Sequence, residues 1–465
     1  MPKARYLRLA DQLAAAIDSG KLAPGTRLPP HRAFAERFGV ALATATRTYG
    51  ELERRGLVVG EAGRGTFVRD PGLPLTLGFQ QTDSDGRVDL VFNMPGDAAD
   101  SDMLRAGLKR LAVAGDLEAM LRYQPHGGRP HERRLIADHL APSLGPVDPD
   151  RLLITSGAQH GLAITALAQF RRGDLIATDT LTYPGFKSVA ALQGIDLAPV
   201  EGHKGLMDPD ALDRLCRTRP LRAVYLMPTV HNPLGSVMDI ATRHRIVAVA
   251  QAHDLLIIED AAYAFLDPAP RPSLLSLAPE RTIHIGGFSK SLATGLRLGY
   301  LIAPEPRIES LLEAIRATTW NAPALISGLV TGWIEDGTLA RSEETRRQDG
   351  AERQRLCREH LAGLPLLSHP NAGFAWLPLD RPHRAEPIVA ALKSRGLSVS
   401  GAEAFATTAA VPQALRLAFG GLPKEDLAAA LQLIAEAVRF RRGGSLTRPS
   451  GPPHQRRARA VALPT

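Results

Sequence analysis

Between Asp89 and about Phe440, short continuous apolar runs alternate with helically patterned stretches, and this rhythm limits the fold more than any other feature of the chain. The runs are Arg151–Thr155, Asp174–Thr178, Ala223–Met227, Leu255–Glu259, Thr282–Ile285 and Leu298–Ile302. A strand with one wet face alternates apolar and polar residues. Most of these do not alternate, so they read as strands covered on both faces. Strand and helix alternating over such a length predict an α/β domain with a largely parallel sheet. The 465 residues leave room for a large core and for further domains. No apolar run approaches the ~18 residues that span a bilayer.

The flanks have a different texture. Residues 1–70 read helix, helix, helix, hairpin. Leu7, Ala10, Leu13, Ala14 and Ile17 recur at helical spacing and Gly20 follows as a stop. Pro24-Gly25 and Pro29-Pro30 break the chain before helical stretches at His31–Phe38 and about Leu42–Arg55. Leu57–Val59 and Thr66–Val68 enclose Gly60, Gly63 and Gly65, a hairpin pattern. Residues 71–88 are rich in Pro, Gly, Asp and Ser and read as a linker. Residues 441–465 form a Pro/Gly/Arg-rich tail expected to be disordered.

Charge follows the same division. Residues 1–70 hold 12 Lys/Arg against 7 Asp/Glu, and 439–465 hold seven Arg and no acid, within a chain of net charge +8. The basic character sits at the two ends, which suggests a polyanion partner. Cys216 and Cys357 are far apart and lack metal-ligand spacing, so they read as inert core thiols and no metal site is expected. The first residues lack the apolar segment of a secretory leader. A cytoplasmic protein that does not enter membranes is expected.

A helix-turn-helix with a β-hairpin wing needs a support helix, a second helix that sets the angle, and a recognition helix for the major groove. Residues 5–69 supply these in order. Arg32, Arg47 and Arg64 lie where phosphates would be met, and Gly63 and Gly65 would allow close approach of the wing backbone. The segments SGKLAPGTRLPPHRAFAERFGV, TATRTYGELERRGLV and GRGTFV resemble the GntR-type winged helix. The resemblance implies an α+β head that binds double-stranded DNA through Arg32, Thr44, Thr46, Arg47, Arg64, Gly65 and Thr66. Where that family usually opens the recognition helix with Ser-Arg, this chain has Ala41-Leu42. Ala41 is a poor N-cap and Leu42 cannot hydrogen-bond a base edge, so the resemblance does not carry over an operator preference.

A second constellation lies in the body. Holding pyridoxal 5'-phosphate (PLP) takes a lysine, a carboxylate for the pyridine nitrogen, donors for the phenolic oxygen and a cradle for the phosphate. ITSGAQHGL reads as strand, glycine turn and helix start, with Ser156, Gly157 and Ala158 amides for a phosphate. DTLTYPGF offers Tyr183 for stacking, and PTVHNPLG places Asn232 after a strand. LLIIEDAAY puts Asp260 at a strand end with Tyr263 three residues on, and IHIGGFSKSLATGLRLGY puts Lys290 after a strand with Arg297 seven further. Strand C-terminal ends are where open α/β sheets place ligands.

In that order the set resembles fold-type I PLP enzymes, the class of aspartate aminotransferase, over about residues 90–440. The resemblance implies an α/β body of 89–440 with a mostly parallel central sheet and a smaller C-terminal domain. Lys290 would form the internal aldimine, Asp260 would pair with the pyridine nitrogen, and Asn232 and Tyr263 would bind the phenolic oxygen. Ser156, Gly157, Ala158, Ser289 and Arg297 would bind phosphate, and Tyr183 would stack on the ring. Tyr123, in YQPHGGRPHERRLI, matches a tyrosine that reaches the neighbouring subunit's phosphate, which implies a homodimer. Arg416, in ALRLAFG, matches an arginine that grips a substrate carboxylate. Gly287 stands where the family has Ser or Thr, so one phosphate hydroxyl is lost.

Head and body together resemble the MocR subfamily of GntR regulators, in which the body senses PLP or an amino compound and the head carries the response to DNA. An active aminotransferase with a winged-helix appendage is the alternative. Lysine and arginine serve both, since sensing by amine exchange uses the residues of catalysis.

Overall fold

The computed structural model describes residues 4–23, 25–61, 65–68, 88–94, 99–114, 117–269, 271–381 and 383–443. Gly63, Arg64, residues 71–87 of the expected linker and 444–465 of the expected tail lie outside the described residues.

The head is three helices and a hairpin. Helix α1 (Arg5–Asp18) buries Ala10, Leu13 and Ile17, one stripe of its surface, and the chain turns away at Gly20 with φ +75°. Helix α2 (His31–Phe38) begins after Pro30 and ends at Gly39 in the left-handed region (φ +56°). Helix α3 (Leu42–Arg54) starts from Ala41, which supplies no side-chain cap. Phe34 and Tyr49 meet edge to face in the core between α2 and α3. Tyr49 Oη donates to Pro29 O at 2.7 Å, which satisfies the one polar atom that ring brings inside. Strands β1 (Val58–Glu61) and β2 (Gly65–Val68) pair antiparallel as the wing.

The body begins at β3 (Val88–Asp89). Its central sheet uses β4 (Leu152–Thr155), β5 (Leu175–Asp179) and β6 (Asp196–Val200). After a small hairpin, β7 (Gly202–His203) and β8 (Leu206–Met207), come β9 (Leu221–Leu226), β10 (Leu256–Asp260), β11 (Thr282–Gly287) and β12 (Gly299–Ile302). The order across the seven-stranded sheet is β4-β12-β11-β10-β9-β5-β6, and β12 alone runs against its neighbours. Every residue of β4, β5 and β10 is buried, as the unbroken apolar runs require. Strand β6, which no apolar run announces, sits at the sheet's edge and carries Pro199, tolerable where a ladder has only one neighbour.

A smaller C-terminal unit holds β13 (Phe374–Pro378), β14 (Leu397–Ser398), β15 (Ser400–Gly401) and β16 (Ala414–Ala418). Leu377, Leu392, Leu417 and Leu431 form its core beneath the helices Ala385–Ser394 and Lys424–Gly443. That last helix runs beyond residue 440. Strand β3 pairs in parallel with β14, so the first described residues after the linker belong to this unit. Cys357 is buried, whereas Cys216 is only partly covered, contrary to the expectation that both are core thiols. Among the described residues no helix is long and apolar enough to cross a membrane.

Candidate cofactor, effector and DNA sites

The C-terminal ends of β4, β5, β9, β10 and β11 open on one edge of the sheet, and the expected cofactor residues follow them. After β4 the chain turns through Ser156 and Gly157 into the helix Ala158–Gln169. Gly157 has φ +89°, and a β-carbon there would fall 3.0 Å from Arg297 Nη2, so the guanidinium lies directly against the turn. Unpaired amides at a helix start, the positive end of its dipole and an adjacent cation make an anion cradle. The Ser156 N–H is already used, donating to His160 Nδ1 at 3.1 Å, while His160 Nε2 lies 2.9 Å from Thr318 Oγ1. Burial lowers the His160 pKa, which keeps Nδ1 an acceptor. The amides left for an anion are those of Gly157 and Ala158, and Ser156 would contribute its hydroxyl. At Gly287 a β-carbon would stand 3.3 Å from Ala158 N and 3.2 Å from Leu298 O. The departure from Ser or Thr thus keeps the Ala158 amide uncrowded.

The floor of the site is Asp260, 1% exposed at the end of β10. Its Oδ2 accepts from Tyr225 Oη at 2.7 Å and its Oδ1 from Ala262 N at 3.1 Å. Burial raises its carboxyl pKa, and the Tyr225 bond opposes that rise. Tyr183 precedes the helix Pro184–Gln193, and burial pushes its phenol up, with the charge of Asp260 adding to the rise and that of Arg297 countering it.

Across from this floor, Lys290 Nζ donates to the backbone oxygen of Asn93 at 2.6 Å and lies 5.8 Å from the centre of the Tyr263 ring. Asn93 Nδ2 donates to Tyr263 Oη at 3.2 Å. Arg416, on β16 and 3% exposed, donates from Nη1 to Val91 O at 2.9 Å and from Nη2 to Asn232 Oδ1 at 3.5 Å. Its Nε is buried without a hydrogen-bond partner among the described residues. Burial lowers the Arg416 pKa, and no carboxylate stands within ion-pair distance among the described residues. A buried guanidinium held only by neutral oxygens, the carbonyls of Val91 and Asn232 and the Tyr263 hydroxyl, is a costly arrangement that an incoming carboxylate would relieve. The structure therefore brings Lys290, Asp260, Asn232, Tyr263, Tyr183, Arg297 and Arg416 to one region. Tyr123 stands apart, 87% exposed, with Trp320 beside it at 5.6 Å between ring centres and exposed Leu121 nearby in the chain.

On the head, Arg32, Thr46 and Arg47 are exposed and Thr44 is half-buried. Thr46 Oγ1 donates to Leu42 O at 3.1 Å. Arg32 and Arg47 have no ion pair among the described residues, whereas Arg54 and Arg55, at the other end of α3, both bind Glu51. Those hydrogen bonds pull the Glu51 carboxyl down to about 2. Arg32 and Arg47 therefore place positive charge free of ion pairs, among the described residues, on α2 and the N-terminal half of α3. In the wing Gly65 has φ +118°, and a β-carbon there would meet Arg27 Nε at 2.8 Å. Arg27 is thus a further cation beside Gly65 and Thr66. The head also touches the C-terminal unit of the body: the Arg384 guanidinium stacks 3.6 Å from the centre of the Phe67 ring, and its Nη1 donates to Gly25 O at 3.4 Å.

Sequence reading missed Val91, Asn93, Tyr225, His160 and Arg27. Val91 acts only through its backbone, and Tyr225 reads as one more apolar residue of a strand. His160 was in view within ITSGAQHGL, four residues past Ser156, a spacing that allows a side chain to reach back to a helix start.

Residues 88–434 match the family model for aminotransferase class I and II, and residues 5–68 match that for bacterial regulatory proteins of the gntR family. An uncharacterized HTH-type transcriptional regulator of Bacillus subtilis, YdeF, is 29% identical over 408 residues, 88% of this chain and 88% of that protein. The HTH-type pyridoxine biosynthesis transcriptional regulator PdxR of Corynebacterium glutamicum is 27% identical over 441 residues, 93% of this chain and 95% of that one. Among solved structures, the kynurenine aminotransferase of Pyrococcus horikoshii superposes with a TM-score of 0.72 at 20% identity, covering 78% of this chain and 93% of that one. At that identity the likeness speaks for the fold.

Proposed function

We propose that this chain, which belongs to the aminotransferase class I and II family and carries a gntR-type winged helix, is a DNA-binding transcription regulator of the MocR kind. Its body would hold PLP and read either PLP itself or a small amino compound, and its head would bind double-stranded DNA. The relatives YdeF and PdxR, both described as transcriptional regulators, match along head and body together, which supports regulation over turnover.

The donor set fits PLP. Lys290 supplies the amine, Asp260 a buried carboxylate for a ring nitrogen, and Gly157, Ala158, Ser156, Ser289 and Arg297 a cradle for a phosphate. Asn232 and Tyr263 would serve the phenolic oxygen, and Tyr183 would cover the ring. Bound there, PLP supplies an electrophilic carbonyl for amines. Arg416 would orient a carboxylated amine by a bidentate contact. Tyr123, exposed in one chain, would complete the site of a second copy in a homodimer.

One observation carries the sensing reading. The two side chains that an amino-acid-like effector would engage, Lys290 and Arg416, are hydrogen-bonded to the backbone of Asn93 and Val91. That stretch directly follows the segment joining head to body. PLP binding would draw Lys290 from the Asn93 carbonyl, an amine that exchanges with the lysine would return it, and a carboxylate on Arg416 would compete with the Val91 carbonyl, so the contents of the site would change how the exit of the linker is held. A ligand shifts the head only by binding one arrangement better than the other. A coupling of about 1–3 kcal/mol, roughly 5–150-fold in DNA affinity, is the usual scale.

Fluorescence anisotropy on DNA from upstream of the chain's own coding region tests this, titrated first with PLP and then with a panel of amino compounds. A several-fold change that Lys290→Ala abolishes is expected. Unchanged affinity across PLP and the whole panel, with steady transamination instead, would reverse the reading in favour of an enzyme.

A further inference from the structure

We infer that Tyr225 is a positioning residue: its hydroxyl aims the Asp260 carboxylate at the cofactor's ring nitrogen and so sets the protonation of that nitrogen. The inference rests on the reading above that PLP binds over Asp260.

The register of the sheet makes the contact. Tyr225 on β9 lies opposite Ile258 on β10, and side chains two residues apart on a strand share a face. Asp260 is therefore on the same face as Ile258 and one step beyond Tyr225 toward the strand ends. Tyr225 is fully buried and its Oη reaches Asp260 Oδ2 at 2.7 Å. Its ring is stacked on Phe186, with centres 3.8 Å apart and planes 7° from parallel. Phe186 belongs to the helix that begins immediately after Tyr183. The residue expected to cover the ring and the residue that holds its counter-charge thus share one rigid platform.

Tyr225 is the single side chain hydrogen-bonded to Asp260 among the described residues; the other donor is the Ala262 amide. Two imidazoles also act on Asp260 electrostatically, but each has a carboxylate of its own. His284 Nδ1 is 2.8 Å from Glu259 Oε2, and His231 Nε2 is 3.4 Å from Asp179 Oδ2. Burial drives the Tyr225 phenol well above its ordinary range, so it remains a neutral donor. With Oδ2 held by the phenol and Oδ1 by the amide, the carboxylate has a fixed plane. The buried anion then lacks only the donor that a protonated ring nitrogen supplies. Without the phenol, burial favours the neutral acid, and a neutral acid does not hold a pyridinium.

The test is Tyr225→Phe in the full-length chain loaded with PLP labelled with 15N in the ring. This variant keeps the stacking on Phe186 and removes one O–H. The wild-type protein is expected to show a protonated ring nitrogen by its 15N shift. The variant is expected to move that shift toward free pyridine and to bind PLP about tenfold to a hundredfold more weakly, the scale of one hydrogen bond to a charged group. Phe186→Leu separates packing from hydrogen bonding, since it removes the stacking partner and leaves the phenol; its nitrogen should stay protonated. An unchanged 15N shift and affinity in Tyr225→Phe, or an equal displacement in Phe186→Leu, overturns the inference while PLP binding itself stands. A wild-type chain that takes up no PLP overturns the functional reading and this inference with it.

Discussion

Head and body present their functional polar residues in opposite ways. Arg32 and Arg47 on the head are exposed and unpaired among the described residues, while Asp260, Arg416 and Tyr225 in the body are buried and held by neighbours. A surface of the first kind gains affinity by displacing counterions, needs no rearrangement, and reads sequence only through the few side chains that reach base edges. A site of the second kind is held in place by the chain's own groups, so a ligand competes for some of their contacts while it fills the places left open, at Asp260 and at Arg416 Nε. The first suits recognition of a large fixed partner. The second suits a response, because what the ligand displaces is itself attached to something.

The sharpest break in this comparison comes from removing one site while watching the other. Lys290→Ala should abolish the visible absorption of lysine-bound PLP entirely and leave DNA binding in the absence of effector intact; absorption spectra and gel shift check the two halves. Deleting residues 1–70 should do the reverse. Specific DNA affinity should fall at least about a thousandfold, to the non-specific level, with PLP absorption retained. Removal of 441–465, by contrast, should weaken binding at all sequences alike and flatten its salt dependence, which anisotropy over a range of salt reads directly.

Next in size is Asp260→Ala, expected to keep the fold and weaken PLP by about 3–5 kcal/mol, since it leaves a ring cation buried without its partner. Equilibrium dialysis measures it, and full retention would remove Asp260 from its place beneath the ring. Arg47→Ala should cost about 1–3 kcal/mol of DNA affinity and relax preference at one base position if its guanidinium reads a base. A uniform loss across all sequences would instead make it a phosphate contact.

The two regions also differed in how much of them could be read in the chain. The body's sheet was legible because strands buried on both faces must be apolar throughout, and the positions of β4, β5, β9, β10, β11 and β12 all lie within a few residues of the runs. Strand β6 was not, because an edge strand containing Pro199 carries neither a run nor a strong alternation. In the head, α2 matched its predicted ends, which Pro30 and Gly39 mark chemically. The residues brought together as the candidate site were legible where a motif joins a strand end to a polar residue, as at Asp260 and Lys290. It was not legible at Asn93 or Val91, whose part is played by backbone carbonyls that every residue possesses. Tyr225 was hidden for a related reason: in a one-dimensional reading a tyrosine inside an apolar run is indistinguishable from packing, and only the register with β10 reveals the carboxylate beside it.

The contact of Arg384 with Phe67 and Gly25 bears on how such a protein can be taken apart and rebuilt. Arg384 immediately precedes the helix Ala385–Ser394, whose first amide donates to Gln413 Oε1 at 2.8 Å, one residue before the strand that carries Arg416. Phe67 is the wing residue next to Thr66. The winged helix is therefore not an independent cartridge. A chimera given a foreign head would lose the seat beneath its wing unless the aromatic ring at position 67 came along.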